Sequence, residues 1–148
     1  LDVLLLDSLR KRLTFLDAVV EELGLRNVLT AHARAEDAGQ DVALRERFDV
    51  AVARAVASTP VLMELVLPFV RVGGKAVLYK GPSAEEELLA GTRAAQFVGG
   101  GAVQTLPVNL PSQPDWQHCV LVSQKRRTTA RTYPRKAGTP GKFPLGME

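Results

Sequence analysis

The chain has 148 residues with 46% hydrophobic, 24% charged and 5% aromatic side chains, which suits one domain with a core of Leu, Val and Ala. Its longest apolar stretch, "VLMELVLPFV", is broken by Glu64 and Pro68 and falls short of the roughly 20 apolar residues of a membrane span. Cys119 is alone and there are two histidines, which leaves no disulfide framework and argues against a metal centre.

In chain order, "DVLLLD" (2–7) is an unbroken apolar run ending in an acid, the pattern of a strand buried on both faces of a parallel sheet. Leu9, Leu13, Leu16, Val20 and Leu23 then recur at spacings of four and three, one stripe of an amphipathic helix. Asp7 or Ser8 caps that helix and Gly24 ends it. "NVLTAH" (27–32) predicts a second strand, and the polar residues 33–47 a loop with some helix. "FDVAVARAV" (48–56) predicts a third strand, followed at Thr59-Pro60 by a helix start, because proline at the first helical position forfeits no intrahelical bond. Val61, Leu62, Leu65, Val66 and Phe69 form the apolar face of that helix.

A fourth strand is expected over "VGGKAVLYKG" (72–81), and "SAEE" from Ser83 to Glu86 has the form of a capping box opening a helix that runs to about Phe97. "GGG" (99–101) breaks it. "AVQTLPV" (102–108) and "QHCVLVSQ" (117–124) predict two more strands, and the loop between them is too short for a helical crossover, so they pair antiparallel. The order implies an α/β, Rossmann-like doubly wound sheet, mostly parallel, with an antiparallel end strand. The net charge of +3 conceals +6 over residues 124–148 and −3 over the remaining 123. The chain therefore divides into a body, 1–124, and a basic C-terminal extension, 125–148. Such an arm suits a polyanionic partner. A disordered, solubilising tail has the same composition.

In open parallel sheets, ligands bind outside the carboxyl ends of the strands. Asp7, at such an end, is placed to accept hydrogen bonds from ribose hydroxyls or to cap the following helix, and the two readings weigh equally. Arg54 is a cation within the apolar "VAVARAVA" and needs a carboxylate, a ligand or a crevice. His32 and His118 lie on strand patterns, where a satisfied core histidine is expected over a catalytic base. There is no nucleophile elbow, phosphate-binding loop or metal-spaced cluster, and no catalytic residue is identified. The lone cysteine points to a reducing, cytoplasmic setting, and a monomer is expected. The chain opens on "LDVLLLD" with no basic lead or cleavage site, so no signal peptide is expected, and the lack of an initiator Met suggests a piece of a longer protein.

The segments "LLLDSLRKRLTFL" (4–16), "ARAED" (33–37), "FDVAVARAVA" (48–57), "LPFVRVGGKAVLYKG" (67–81) and "YPRKAGTPGKFPL" (133–145) together are specific. Through them the chain resembles the RsmG (GidB) family of bacterial methyltransferases, which make 7-methylguanosine in 16S rRNA from S-adenosylmethionine. The resemblance implies a class I methyltransferase sheet. It implies that Asp7, Ser8 and Leu9 hold the adenosine ribose, that Ala35 and Glu36 lie beside the adenine, and that Arg54 lines the cofactor crevice. Ala53 stands where the family has serine, which removes a hydroxyl but not the arginine. The family also has a first strand and a glycine-rich loop ahead of the equivalent of Leu1. That strand belongs in the middle of the sheet, between 2–7 and 48–54, so these 148 residues alone are expected to hold the cofactor poorly.

Guanine N7 carries a lone pair and needs no deprotonation, which agrees with a sequence lacking an evident base. Alignment of reactants can supply about 7–11 kcal/mol in favourable systems. Arg10, Lys11 and Arg12, with Lys80, Arg135, Lys136 and Lys142, are the candidate contacts to RNA, and Tyr133 and Phe143 could stack on bases. The alternative for the last segment is a packed extension bracing the fold. Two other functions compete with methyl transfer. One is a non-catalytic RNA-binding or ribosome-associated domain; the other, ranked last, is a nicotinamide-dependent oxidoreductase.

Overall fold

The computed structural model describes residues 1–54, 57–110 and 112–147, with the backbone only at 83, 109, 110 and 113–117. Six strands and five α-helices follow one another along it, alternating as far as β5. They are β1 (Val3–Asp7), α1 (Arg10–Glu22), β2 (Val28–His32), α2 (Ala35–Ala38), β3 (Phe48–Arg54), α3 (Thr59–Val66), β4 (Val70–Lys80), α4 (Leu88–Phe97), β5 (Gln104–Leu110), β6 (Gln113–Gln124) and α5 (Thr139–Lys142). Every strand expected from the sequence forms. The last two residues expected in the third strand, 55 and 56, lie outside the described residues.

The strands make two hydrogen-bonded ladders. β1 and β2 pair in parallel, with Asp7 opposite His32. The other sheet has the order β3-β4-β6-β5. β3 and β4 are parallel, with Arg54 opposite Tyr79, while β6 runs antiparallel to both its neighbours. β1 and β3 each have one ladder partner among the described residues, and no ladder joins them. The discontinuity falls where the resemblance puts a central strand.

Helices α3 and α4 cover one face of the four-stranded sheet. Period-two alternation sets that face: Ala76 and Leu78 of β4 are buried, while Lys75 and Tyr79 beside them are exposed. Leu62, Met63, Leu67, Ala94, Ala95, Val98 and Leu121 complete the core. Burying a side chain such as Leu78 stabilises the fold by about 1.5–3 kcal/mol. The two helices approach closely at Gly91, where a Cβ would lie 2.5 Å from Thr59 Cγ2. On β3, Val50 and Val52 remain exposed.

One local expectation is corrected. The "SAEE" segment does not open an α-helix: residues 82–84 form a 3-10 turn and α4 starts at Leu88 without a side-chain cap. The cap appears on the neighbouring helix instead. Ser58 precedes α3 but makes no side-chain cap; Glu87 accepts hydrogen bonds from the N–H and hydroxyl of Thr59, both at 2.6 Å. A carboxylate from another element thus satisfies a donor left open by the first turn.

The segment after β6 folds back onto the body and is not a free tail. Lys125 is buried and donates to the Leu67 carbonyl and the Thr129 hydroxyl, both at 2.7 Å, beside the Glu46 carboxylate at 3.1 Å. Burial lowers its pKa, opposed by Glu46. Tyr133 and Leu145 pack against the core.

Candidate functional site

The apolar run of β1 carries Asp7 to the strand's carboxyl end. Its Oδ1 accepts the Leu9 N–H at 2.8 Å, and its Oδ2 accepts from Arg12 at 3.3 Å. The Leu9 bond holds the carboxyl below its ordinary range; burial opposes this, and Arg12 reinforces it. Asp7 therefore closes the turn into α1 as an ionised acceptor. Leu9 itself is the N-cap residue, and no side chain caps the helix. The turn-closing role and an outward acceptor role are compatible, because a carboxylate has about four lone-pair sites and the structure uses two.

The end of β2 is tied to the same turn. His32 Nε2 lies 3.1 Å from the Ser8 carbonyl. His32 and His118 are both exposed, which corrects the expectation of core histidines. The polarity of a strand-end ring is met here by a neighbouring loop rather than by the core.

Helix α2 begins three residues after β2, so Ala35 and Glu36 follow its carboxyl end directly. Both are half-buried, and Glu36 accepts the Gly138 N–H at 3.0 Å. That bond fastens the C-terminal segment beside the β2 end. Arg54 ends β3, is exposed, and makes no hydrogen bond or ion pair among the described residues.

The structure thus brings Asp7, Ser8, Leu9 and the β2 end together on one ladder. Arg54 sits on the other. Arg10, Lys11 and Arg12 are exposed on the first turn of α1, next to the Asp7 turn. Lys136 and Lys142 are exposed as well.

Lys80 and Arg135 are placed differently. The Lys80 ammonium donates to the Ala57 carbonyl at 3.1 Å and meets Glu87 at 2.8 Å, with its side chain 10% exposed. Arg135 donates through Nε and Nη2 to Glu64, whose side chain is fully buried, and through Nη2 to the Phe143 carbonyl. Both cations are engaged within the chain, and for Arg135 the bracing alternative is the one with contacts. Sequence reasoning missed the carboxylates they meet. Glu64 figured only as an interruption of an apolar run, yet an acid among buried residues requires a partner, and that was its signal.

The family model described as rRNA small subunit methyltransferase G (GidB) matches residues 1–120. The chain belongs to the GidB family. Curated GidB relatives named ribosomal RNA small subunit methyltransferase G agree with it over nearly its whole length. The protein of Acetivibrio thermocellus is 49% identical over 145 residues, 98% of this chain and 59% of that protein. That of Alkaliphilus metalliredigens is 48% identical, with 98% and 60% covered. That of Clostridium beijerinckii is 43% identical, with 98% and 60% covered. The chain thus spans about 60% of the length of the curated relatives it matches.

Solved structures agree on the fold. An rRNA methylase from Streptococcus thermophilus superposes with a TM-score of 0.57 at 17% identity, over 85% of this chain and 74% of that one. TYW2 of M. jannaschii, solved in complex with AdoMet, gives 0.60 at 16% identity, over 85% and 58%. A predicted O-methyltransferase from Agrobacterium tumefaciens gives 0.63 at 14% identity, over 86% and 65%. The GidB chain therefore has the Rossmann-like fold of class I methyltransferases, with parallel strands and an antiparallel end strand. Among the described residues no helix is long and apolar enough to cross a membrane.

Proposed function

We propose that this chain carries the ribose and adenine side of a cofactor crevice, and part of the RNA surface, of an S-adenosylmethionine-dependent methyltransferase acting on guanine N7 of 16S rRNA in the bacterial cytoplasm. The observation that carries the reading is the Asp7 carboxylate at the carboxyl end of β1, ionised and with acceptor capacity to spare, in a chain of the GidB family. S-adenosylmethionine, when bound, supplies an electrophilic methyl group. Asp7 is the acceptor for the ribose hydroxyls, with Ser8 and Leu9 forming the adjoining backbone. Ala35 and Glu36 border the adenine, and Arg54 closes the crevice from β3. Guanine N7 has no proton to remove, so the chain's own task is to bind and orient.

The separate ladders explain why these 148 residues by themselves should bind the cofactor weakly. Asp7 and Arg54 lie on β1 and β3, which share no hydrogen bonds, so nothing in the ladders holds the two halves of the crevice at a set distance. The same observation favours a second reading, a non-catalytic RNA-binding domain. A chimera separates them: the residues ahead of the match to Leu1 in the Acetivibrio thermocellus relative, fused before Leu1. Incubated with methyl-labelled cofactor and 16S rRNA, the chimera is expected to transfer label to a guanine N7. A cooperatively folded chimera that binds RNA but transfers no label would establish the second reading.

A further inference from the structure

A groove of about 410 Å³ separates the loop before β3 from the segment after β6, lined chiefly by Arg45, Glu46, Arg47, Thr128, Thr129 and Arg131. Its floor is a fixed cation. Arg45 is buried and donates from Nη1 to the Gly39 and Tyr133 carbonyls, both at 2.7 Å, and from Nη2 to the Thr129 and Ala130 carbonyls at 2.7 and 2.9 Å. Its partners are neutral, so its charge is not cancelled by any of them.

The carboxylate in the groove is turned to other work. Glu46 holds a left-handed backbone conformation, with φ of 54°, that is uncommon for a residue with a side chain. Its carboxylate accepts the Thr129 N–H at 2.7 Å and meets the buried Lys125 ammonium at 3.1 Å. Arg47 and Arg131 are exposed and make no side-chain hydrogen bond or ion pair among the described residues; burial disfavours the Arg45 charge, Glu46 offsets part of it and Arg131 opposes it. Three arginines, Arg45, Arg47 and Arg131, thus line the groove with one carboxylate, and that carboxylate is already paired with Lys125. An excess of positive charge of this kind favours an anion between the arginines.

The groove is set apart from the Arg54 side of the crevice, while its Arg45 floor reaches Gly39 at the end of α2. Arg47 immediately precedes β3 and Arg54 ends it, so a seven-residue strand, roughly 20–25 Å long, separates them. A mononucleotide cannot span that distance, whereas a folded RNA can. We propose that the groove is a second contact for the RNA phosphate backbone, at the opposite end of β3 from Arg54. The inference rests on the RNA-binding part of the proposed function and adds Arg47 and Arg131 to it.

The test is fluorescence anisotropy of a labelled 30-nucleotide RNA hairpin with the 148-residue chain over a range of salt concentrations. The double variant Arg47→Gln/Arg131→Gln should reduce the slope of log affinity against log salt by about 1.8, the loss of two duplex phosphate contacts, with an unchanged melting temperature. Thr128→Glu leaves both arginines and the buried network in place, and by adding an anion to the groove should weaken binding about fivefold. It keeps the test intact if the double variant misfolds. Slopes and affinities that match wild type in both variants would overturn the proposal. So would inorganic phosphate shifting the Arg131 amide resonance while the RNA slope stays unchanged, since the groove would then take small anions only. If Arg10→Gln/Lys11→Gln lowers the slope and the groove variants do not, the groove fails and the RNA reading stands. A wild-type chain without salt-dependent RNA binding overturns both.

Discussion

Arg135 grips Glu64 with two donors, Nε at 2.9 Å and Nη2 at 2.7 Å, and its backbone N–H adds a third bond to the same carboxylate at 2.9 Å. Glu64 sits on α3 with no solvent exposure, so the pair anchors the C-terminal segment to the helix behind the sheet. The guanidinium is held more strongly protonated than usual, first by the hydrogen bonds to Glu64.

Removing one member of a buried pair strands the other. Arg135→Ala should lower stability by about 3–5 kcal/mol. Arg135→Lys keeps a charge but not the planar fork, and should lose less. Urea unfolding midpoints in the order wild type, Lys, Ala are expected; identical midpoints would show that the pair contributes nothing.

Glu87 joins three elements through one oxygen. It caps Thr59 at the start of α3 and pairs with Lys80 at the end of β4. Burial pushes its carboxyl up, but the bonds from Lys80 and Thr59 prevail and lower it. Glu87→Ala should cost about 3 kcal/mol, since it leaves a nearly buried ammonium without its carboxylate and α3 without its cap. Lys80→Met with Glu87→Gln should recover part of that loss in thermal melts, because the stranded charge is gone. A double variant less stable than Glu87→Ala would contradict the assignment.

At Gly91, two effects compete. Alanine is the better helix former by about 1 kcal/mol. Its Cβ would lie 2.5 Å from the fully buried Thr59 Cγ2, and overpacking of this kind costs about 1–3 kcal/mol. Gly91→Ala should therefore destabilise on balance, and Gly91→Ala with Thr59→Ser should be less affected than the sum of the single changes. Calorimetric melting temperatures decide this.

The pH dependence follows from Asp7. Its pKa is lower in the folded chain than in the unfolded one, so its contribution is fully present above the ordinary carboxylate range and is lost as pH falls through the folded value. Asp7→Asn removes that titration. The stability difference between wild type and variant should be constant from pH 7 to 5 and shrink below about pH 4. A difference that grows on acidification would reverse the sign of the shift.

The strands and their order were legible in the sequence because apolar runs bounded by glycines, prolines and acids report burial directly. The run before Asp7 and the alternation around Leu78 are examples. The Thr59-Pro60 start was legible for a local reason as well, the position of its proline. What could not be read was which charges face inward. Arg45 binds the carbonyls of Thr129, Ala130 and Tyr133, more than 80 residues away in the chain. Arg135 and Lys80 looked like surface cations because their partners, Glu64 and Glu87, are brought to them only by the packing of α3 and α4. Of the candidate site, the strand-end position of Asp7 was readable; its bonds to Leu9 and Arg12 depend on the turn that the backbone makes between β1 and α1.

The proposed function places Asp7 on the cofactor side of a methyltransferase crevice. The most direct measurement is methyl transfer to guanine N7 of 16S rRNA by the chimera carrying the Acetivibrio thermocellus residues ahead of Leu1, with Asp7 intact and with Asp7→Ala. Transfer is expected in the first and, in the second, a KM for S-adenosylmethionine raised by about tenfold or more, the loss of a charge-assisted hydrogen bond of about 1.5–3 kcal/mol. A folded Asp7→Ala chimera with an unchanged KM for the cofactor would contradict it.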